Sequence, residues 1–163
     1  EARGLTFAKA ARHLMRQDPE GRGIGEVRDD ETAQIAIRAA LTGHLVMSTL
    51  HAGSCQGVLE RLMLMCPDNY AVLSSLALVA NQRLVRRLCQ NCEGKGCVDC
   101  LESGYKNRVP IMEWAKLDDK LRDRIRKSGP AELKPSVSMQ DFARKLVADG
   151  ITDQAEIERA IGS

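Results

Sequence analysis

The 163-residue chain is 44% hydrophobic and 28% charged, a balance that suits a packed domain and excludes wholesale disorder. A formal net charge of +2 makes no overall electrostatic case for nucleic acid. The aromatics (Phe7, Tyr70, Tyr105, Trp114, Phe142) are too few and scattered for a base-stacking platform, and no apolar run approaches a membrane span.

The chain opens without methionine and without a signal-peptide pattern, and it reads as a piece of a longer protein. Leu5–Arg16 has helical periodicity, ended by Asp18-Pro19. Ile24–Val27 is a weak strand candidate. The acidic cluster Asp29-Asp30-Glu31 then suits a helix start, where carboxylates meet unpaired amides. Helix is expected over Ala33–Thr42 with Gly43 as its stop, followed by a buried strand over His44–Leu50. Ser54 can cap a helix carrying Val58, Leu59, Leu62 and Met65, and a further helix is expected over Leu73–Leu88. Alternating helix and strand argue for an α/β fold with a parallel sheet.

The segment from Cys89 to about Arg108 is rich in glycine and cysteine and too short for its own core. Beyond Pro110, helices are expected near Leu117–Lys127, Met139–Ala148 and Asp153–Ala160. Ser138 with Asp141, and Asp153 with Glu156, have capping-box spacing, and Gly150 is a stop signal. Three segments result: 1–88, 89–108 and 109–163.

Four of the six cysteines form "CQNCEGKGCVDC": Cys89, Cys92, Cys97 and Cys100. Each C-x-x-C pair can present two thiolates to one face, and two pairs complete a tetrahedral site. Structural zinc is favoured; an iron–sulfur centre and free thiols or disulfides stay open on spacing alone. A four-thiolate site is closed to substrate, so its expected work is to staple a small subdomain. Cys55 and Cys66, in apolar surroundings, are expected to be buried packing residues.

Two of the three histidines, His44 and His51, bracket the apolar run Leu45–Leu50, while His13 reads as surface. Taken alone, a lone histidine is more often structural than functional. The surrounding pattern changes that balance. "D-P", "G-E-x-R-D-x-E-T-A" and "T-G-H-L-V-x-S-T-L-H" are met from Asp18 to His51. "NQRLVRRLCQNC" and "GCVDCLESGYKNRVPIMEW" follow. Together these stretches resemble the secretion ATPase superfamily, the P-loop motors of type II secretion and type IV pilus assembly.

The resemblance implies part of a RecA-like P-loop NTPase core (1–88, carrying Walker B and a histidine box), a four-cysteine metal module (89–108) and a helical C-terminal subdomain (109–163). Glu26 would be the Walker B acid and His51 a group near the γ-phosphate, both catalytic. His44, Arg28 and Arg61 would bind nucleotide. ATP, magnesium and structural zinc are the implied cofactors. The implied partners are a homo-hexamer and inner-membrane platform and assembly proteins, on the cytoplasmic side, with no nucleic acid.

Three departures accompany the resemblance. No G-x-x-x-x-G-K-[ST] loop occurs, so the fragment alone should not turn over ATP. "EGRG", Glu20–Gly23, is a poor composition for a central strand. The cysteine pairs also lie closer together than is usual in the superfamily. A zinc-stapled adaptor descended from such a motor is the alternative reading. A zinc-ribbon nucleic-acid binder using Arg83, Arg86, Arg87 and Lys95 is a third.

Overall fold

The computed structural model describes residues 21–162; the expected first helix, His13 and Asp18-Pro19 lie outside them. The described residues belong to two compact units, one comprising 21–79 with 116–134 and the other 80–115 with 135–162. This division differs from the three segments read along the chain, because the helix following Leu117 belongs to the first unit.

In the first unit, β1 (Gly21–Ile24) pairs in parallel with β2 (Leu45–Ser48), Gly21 opposite Leu45 and Ile24 opposite Ser48. The glycine-rich stretch therefore does form a strand, a few residues earlier than Ile24–Val27. Between the strands runs α1 (Asp30–Leu41), started by the Asp29 carboxylate, which accepts from the Thr32 amide at 2.8 Å. Gly43 ends it at a φ of 94°, a conformation that glycine adopts without steric cost. Ser54 caps α2 (Cys55–Met65) by accepting from the Gly57 amide at 3.0 Å.

The expected Leu73–Leu88 helix is not formed. A short α3 (Asn69–Ser75) stops, and β3 (Leu78–Leu88) takes over. Arg122 supplies the reason for the stop: its guanidinium donates to the Leu73 carbonyl at 3.0 Å and to the Leu76 carbonyl at 2.9 Å. These bonds satisfy acceptors that a continuing helix would have used. Arg122 sits on α4 (Asp119–Ser128), whose Leu121 and Ile125 join Leu59, Leu73, Val72 and Leu133 among the buried residues of this unit. Cys55 and Cys66 are buried as expected.

The second unit holds most of β3, paired with β4 (Tyr105–Lys116), and the helices α5 (Met139–Ala148) and α6 (Gln154–Ile161). β4 was not anticipated. Its core is Val85, Ile111, Met139, Ala143 and Ile157, with Val109, Phe142 and Leu146 packed against it. Ser138 and Asp153 cap α5 and α6 as their spacing predicts, each accepting an amide three residues on.

β2 departs from the buried strand expected over His44–Leu50: Leu45 is 61% and Met47 64% exposed. Among the described residues its sheet contains only β1 and β2, and a parallel sheet normally needs cover on both faces.

Candidate functional site

Parallel strands β1 and β2 end side by side, and their C-terminal edge is where α/β sheets place ligands. Two hydrogen bonds lock these ends: the Val27 amide donates to the Thr49 carbonyl at 2.9 Å, and the Thr49 hydroxyl donates to the Gly25 carbonyl at 2.7 Å. Glu26 leaves β1 at this edge and His51 leaves β2 there. Glu26 Oε1 lies 2.8 Å from His51 Nε2, and its Oε2 accepts from Arg28 Nε at 2.5 Å. The Arg61 guanidinium on α2 donates to the His51 carbonyl at 2.8 Å, holding the turn that carries the imidazole.

The Glu26 side chain is 20% exposed, whereas those of Arg28 and His51 are 78% and 87% exposed. The hydrogen bond from Arg28 holds the Glu26 carboxyl below its ordinary range, aided by the charges of Arg28, His51 and Arg61 and opposed by burial. Glu26 is therefore an ionised acceptor at neutral pH, gripped on both oxygens by exposed donors that an incoming anion can reach. Four of the five residues expected here, Glu26, Arg28, His51 and Arg61, come together.

His44 does not join them. It opens β2 at the opposite end, roughly 16 Å of strand away. There its Nδ1 lies 3.1 Å from the Thr42 hydroxyl and 3.2 Å from the Ala39 carbonyl, tying the end of α1 to the start of β2.

In the other unit, the sulfurs of Cys89, Cys92, Cys97 and Cys100 all lie within 4.8 Å of one another. Cys89–Cys97, Cys92–Cys100 and Cys97–Cys100 are separated by 3.9, 3.8 and 3.7 Å. Four thiolates about 2.3 Å from one zinc ion at tetrahedral angles sit roughly 3.8 Å apart, so the quartet fits that ion. The Gly96 amide donates to Cys92 Sγ and the Cys97 amide to Cys100 Sγ, both at 3.2 Å. Burial pushes the Cys97 thiol up. Burial also acts against the Cys100 thiolate, but amides of Cys97 and Gly104 and the neighbouring thiols hydrogen bond to it, and its pKa falls. Four sulfurs this close together offer the soft donor set that suits a cation such as zinc.

The family model for Type II/IV secretion system protein matches residues 1–159. The chain belongs to that family. It is 40% identical to the type II secretion system protein HxcR of Pseudomonas aeruginosa, over 95% of this chain and 36% of the relative. It is 37% identical to the type IV pilus assembly ATPase PilB of Myxococcus xanthus, over 94% of this chain and 33% of that one. The fold matches the crystal structure of the Legionella pneumophila ATPase DotB with a TM-score of 0.74 at 26% identity, over 94% of this chain and 42% of that one. The chain thus spans about a third of the length of the curated relatives it matches.

Within this secretion ATPase fold, two features escaped the sequence reading. Thr49 was part of the quoted motif but had no assigned role; its hydroxyl fastens the two strand ends. Arg86 is one of the basic residues that the nucleic-acid alternative would use. Its guanidinium instead pairs with Glu156 at 2.6 Å and stacks 4.0 Å over the Tyr105 ring, so it is not free for a phosphate backbone.

Proposed function

We propose that this chain is the Walker B and histidine-bearing part of an ATPase that drives type II secretion or type IV pilus assembly. The observation that carries the reading is the convergence of Glu26, Arg28, His51 and Arg61 at the C-terminal edge of two parallel strands. Phosphoryl transfer asks the protein mainly for positioning and charge neutralisation. Glu26 supplies a fixed anion that would hold magnesium and its waters, and magnesium, when bound with ATP, would neutralise phosphate charge. His51 and Arg28, held by one carboxylate and exposed to solvent, can exchange it for a terminal phosphate. Arg61 keeps the His51 turn in register, and His44 acts at a distance by fixing the entry to β2.

Exposed Leu45 and Met47 suit a sheet extended by further strands of a larger core, where a phosphate-cradling loop would lie. The fragment alone is inactive on this reading, and the full-length protein works as a homo-hexamer. It would act on the cytoplasmic side, with a membrane platform protein as partner; among the described residues no helix is long and apolar enough to cross a membrane. The metal module contributes structure. The adaptor alternative drew on the poor composition of Glu20–Gly23, and the regular pairing of β1 leaves it without that support.

The test is ATP hydrolysis by the full-length hexamer beside its Glu26→Gln variant. A loss of at least a hundredfold is expected, because the neutral amide keeps the shape and removes the charge. Retention of the rate in the variant would overturn the role of Glu26, and absence of hydrolysis in both proteins would hand the chain to the adaptor reading.

A further inference from the structure

Val98 and Leu101 are 84% and 88% exposed, an unusual place for two branched apolar side chains within four residues. Val98 opens the turn Val98–Cys100 and Leu101 follows it, its amide donating to the Val98 carbonyl at 3.1 Å. This turn is not loose. Cys97 stands immediately before it and Cys100 is its last residue, both among the four clustered thiols, and the Glu102 amide closes back on the Cys97 carbonyl at 2.9 Å. A metal held by those sulfurs makes the two apolar side chains a preorganised pair, so a partner would not have to meet the entropy cost of ordering them.

The loop that carries the pair is mainly acidic. Glu93, Asp99 and Glu102 are all exposed, against Lys95 within 93–102, while Lys106 and Arg108 follow on β4; Asp99 also accepts from the Asn91 side-chain amide. Four thiolates on one divalent ion add a net charge of about −2. The tip is thus apolar at its centre and acidic at its rim, within a chain whose formal charge is +2. An anionic lipid surface is repelled by such a rim; a basic segment with apolar side chains is its complement. Cytoplasmic segments beside membrane spans are enriched in lysine and arginine, and they match this chemistry.

We infer that the tip of the tetracysteine module, with Val98 and Leu101 as anchors and Glu93, Asp99 and Glu102 as rim, docks a lysine- and arginine-rich cytoplasmic segment of an integral membrane protein. The inference rests on the motor reading only for the origin of that partner. The apolar pair and its acidic rim belong to the module whether or not ATP is hydrolysed.

The experiment uses the zinc-loaded full-length protein and fluorescein-labelled peptides tiling the cytoplasmic segments of the membrane proteins of a type II secretion or type IV pilus machine. Phosphatidylglycerol-containing vesicles serve as the lipid arm. Two variants are compared, Val98→Ser with Leu101→Asn, and Glu93→Lys with Glu102→Lys; asparagine is chosen because Leu101 has a φ of 52°. A basic peptide is expected to bind, at least tenfold more weakly to each variant and more weakly as salt rises, with zinc content unchanged. The proposal fails if no basic peptide binds, if binding survives both variants, or if the variants affect vesicle binding instead. ATP hydrolysis is measured in the same samples. Peptide binding without hydrolysis would sink the motor and leave the docking tip standing, whereas hydrolysis without peptide binding would do the reverse.

Discussion

Glu156 has no exposed surface, yet it is ionised. Its Oε1 accepts from the Arg86 amide at 2.8 Å and from Arg159 Nη2 at 2.6 Å, and its Oε2 accepts from Arg86 Nε and Arg159 Nε, both at 2.7 Å. The Arg159 hydrogen bond is the largest influence; with those of Arg86 it outweighs burial and brings the carboxyl down to about 2. An unfolded glutamate titrates near 4.5, so between these values the unfolded chain binds more protons than the native one. The stabilisation is complete above about pH 4.5 and is lost as pH falls toward 2. Its size is on the order of 2 kcal/mol once the partial exposure of both arginines is discounted. Glu156→Gln is expected to cost roughly 3 kcal/mol at pH 7, because it leaves two arginines facing a neutral amide. The gap between variant and parent in urea denaturation should narrow as the pH is lowered through 4 to 3; a gap independent of pH would refute the assignment. The same residue explains a partial miss in the reading of helix caps. Asp153 caps α6 as expected, but the side chain three residues on is engaged by Arg159, one helical turn further, and by Arg86, 70 residues back, which sequence spacing cannot bring into view.

At the scale of elements, the four-cysteine module depends on backbone as much as on sulfur. A Cβ on Gly104 would lie 2.5 Å from the Gly94 carbonyl oxygen, and Gly104 has a φ of 76°. Its own carbonyl accepts from the Cys89 amide at 2.9 Å, closing the module's base. Gly104→Ala should therefore release zinc at a lower chelator concentration than the parent, although every ligand is retained; unchanged zinc release would show that the base can move. Cys97→Ser should go further and abolish stoichiometric zinc, read by metal analysis of the purified protein. β4 runs through Asn107, which has a φ of 71°, and Pro110, two residues that interrupt a strand pattern in sequence. The signal was nevertheless present in the alternation of Val109, Ile111, Glu113 and Ala115, of which Ile111 and Ala115 are fully buried. The boundary between α3 and β3 was not legible in the same way. Leu73–Leu88 supports either periodicity, and the choice is made by Arg122, 49 residues beyond Leu73.

At the scale of the whole molecule, two cores share one chain, and the four clustered thiols belong to only one of them. Chelation should therefore act regionally. Hydrogen exchange of the full-length protein after zinc removal is expected to rise in β3, β4 and the module between them. Amides of α1 and α2 should keep their protection. Uniform loss of protection would mean that the metal supports both units. The division was invisible to a reading along the chain because each unit is built from two separated stretches, and α4 crosses back to complete the first.

The sequence by itself determined the family, the Glu26 and His51 motif, the helix caps and the four clustered thiols. These are local patterns whose chemistry depends on spacing of a few residues. Only the tertiary structure decided which arginines lie beside Glu26 and His51, that His44 stands apart from them, and that Glu156 binds Arg86. It also decided where helix gives way to strand near Leu76. Those outcomes turn on groups brought together from distant positions, and no local pattern encodes the partner a long polar side chain will reach once the backbone is in place.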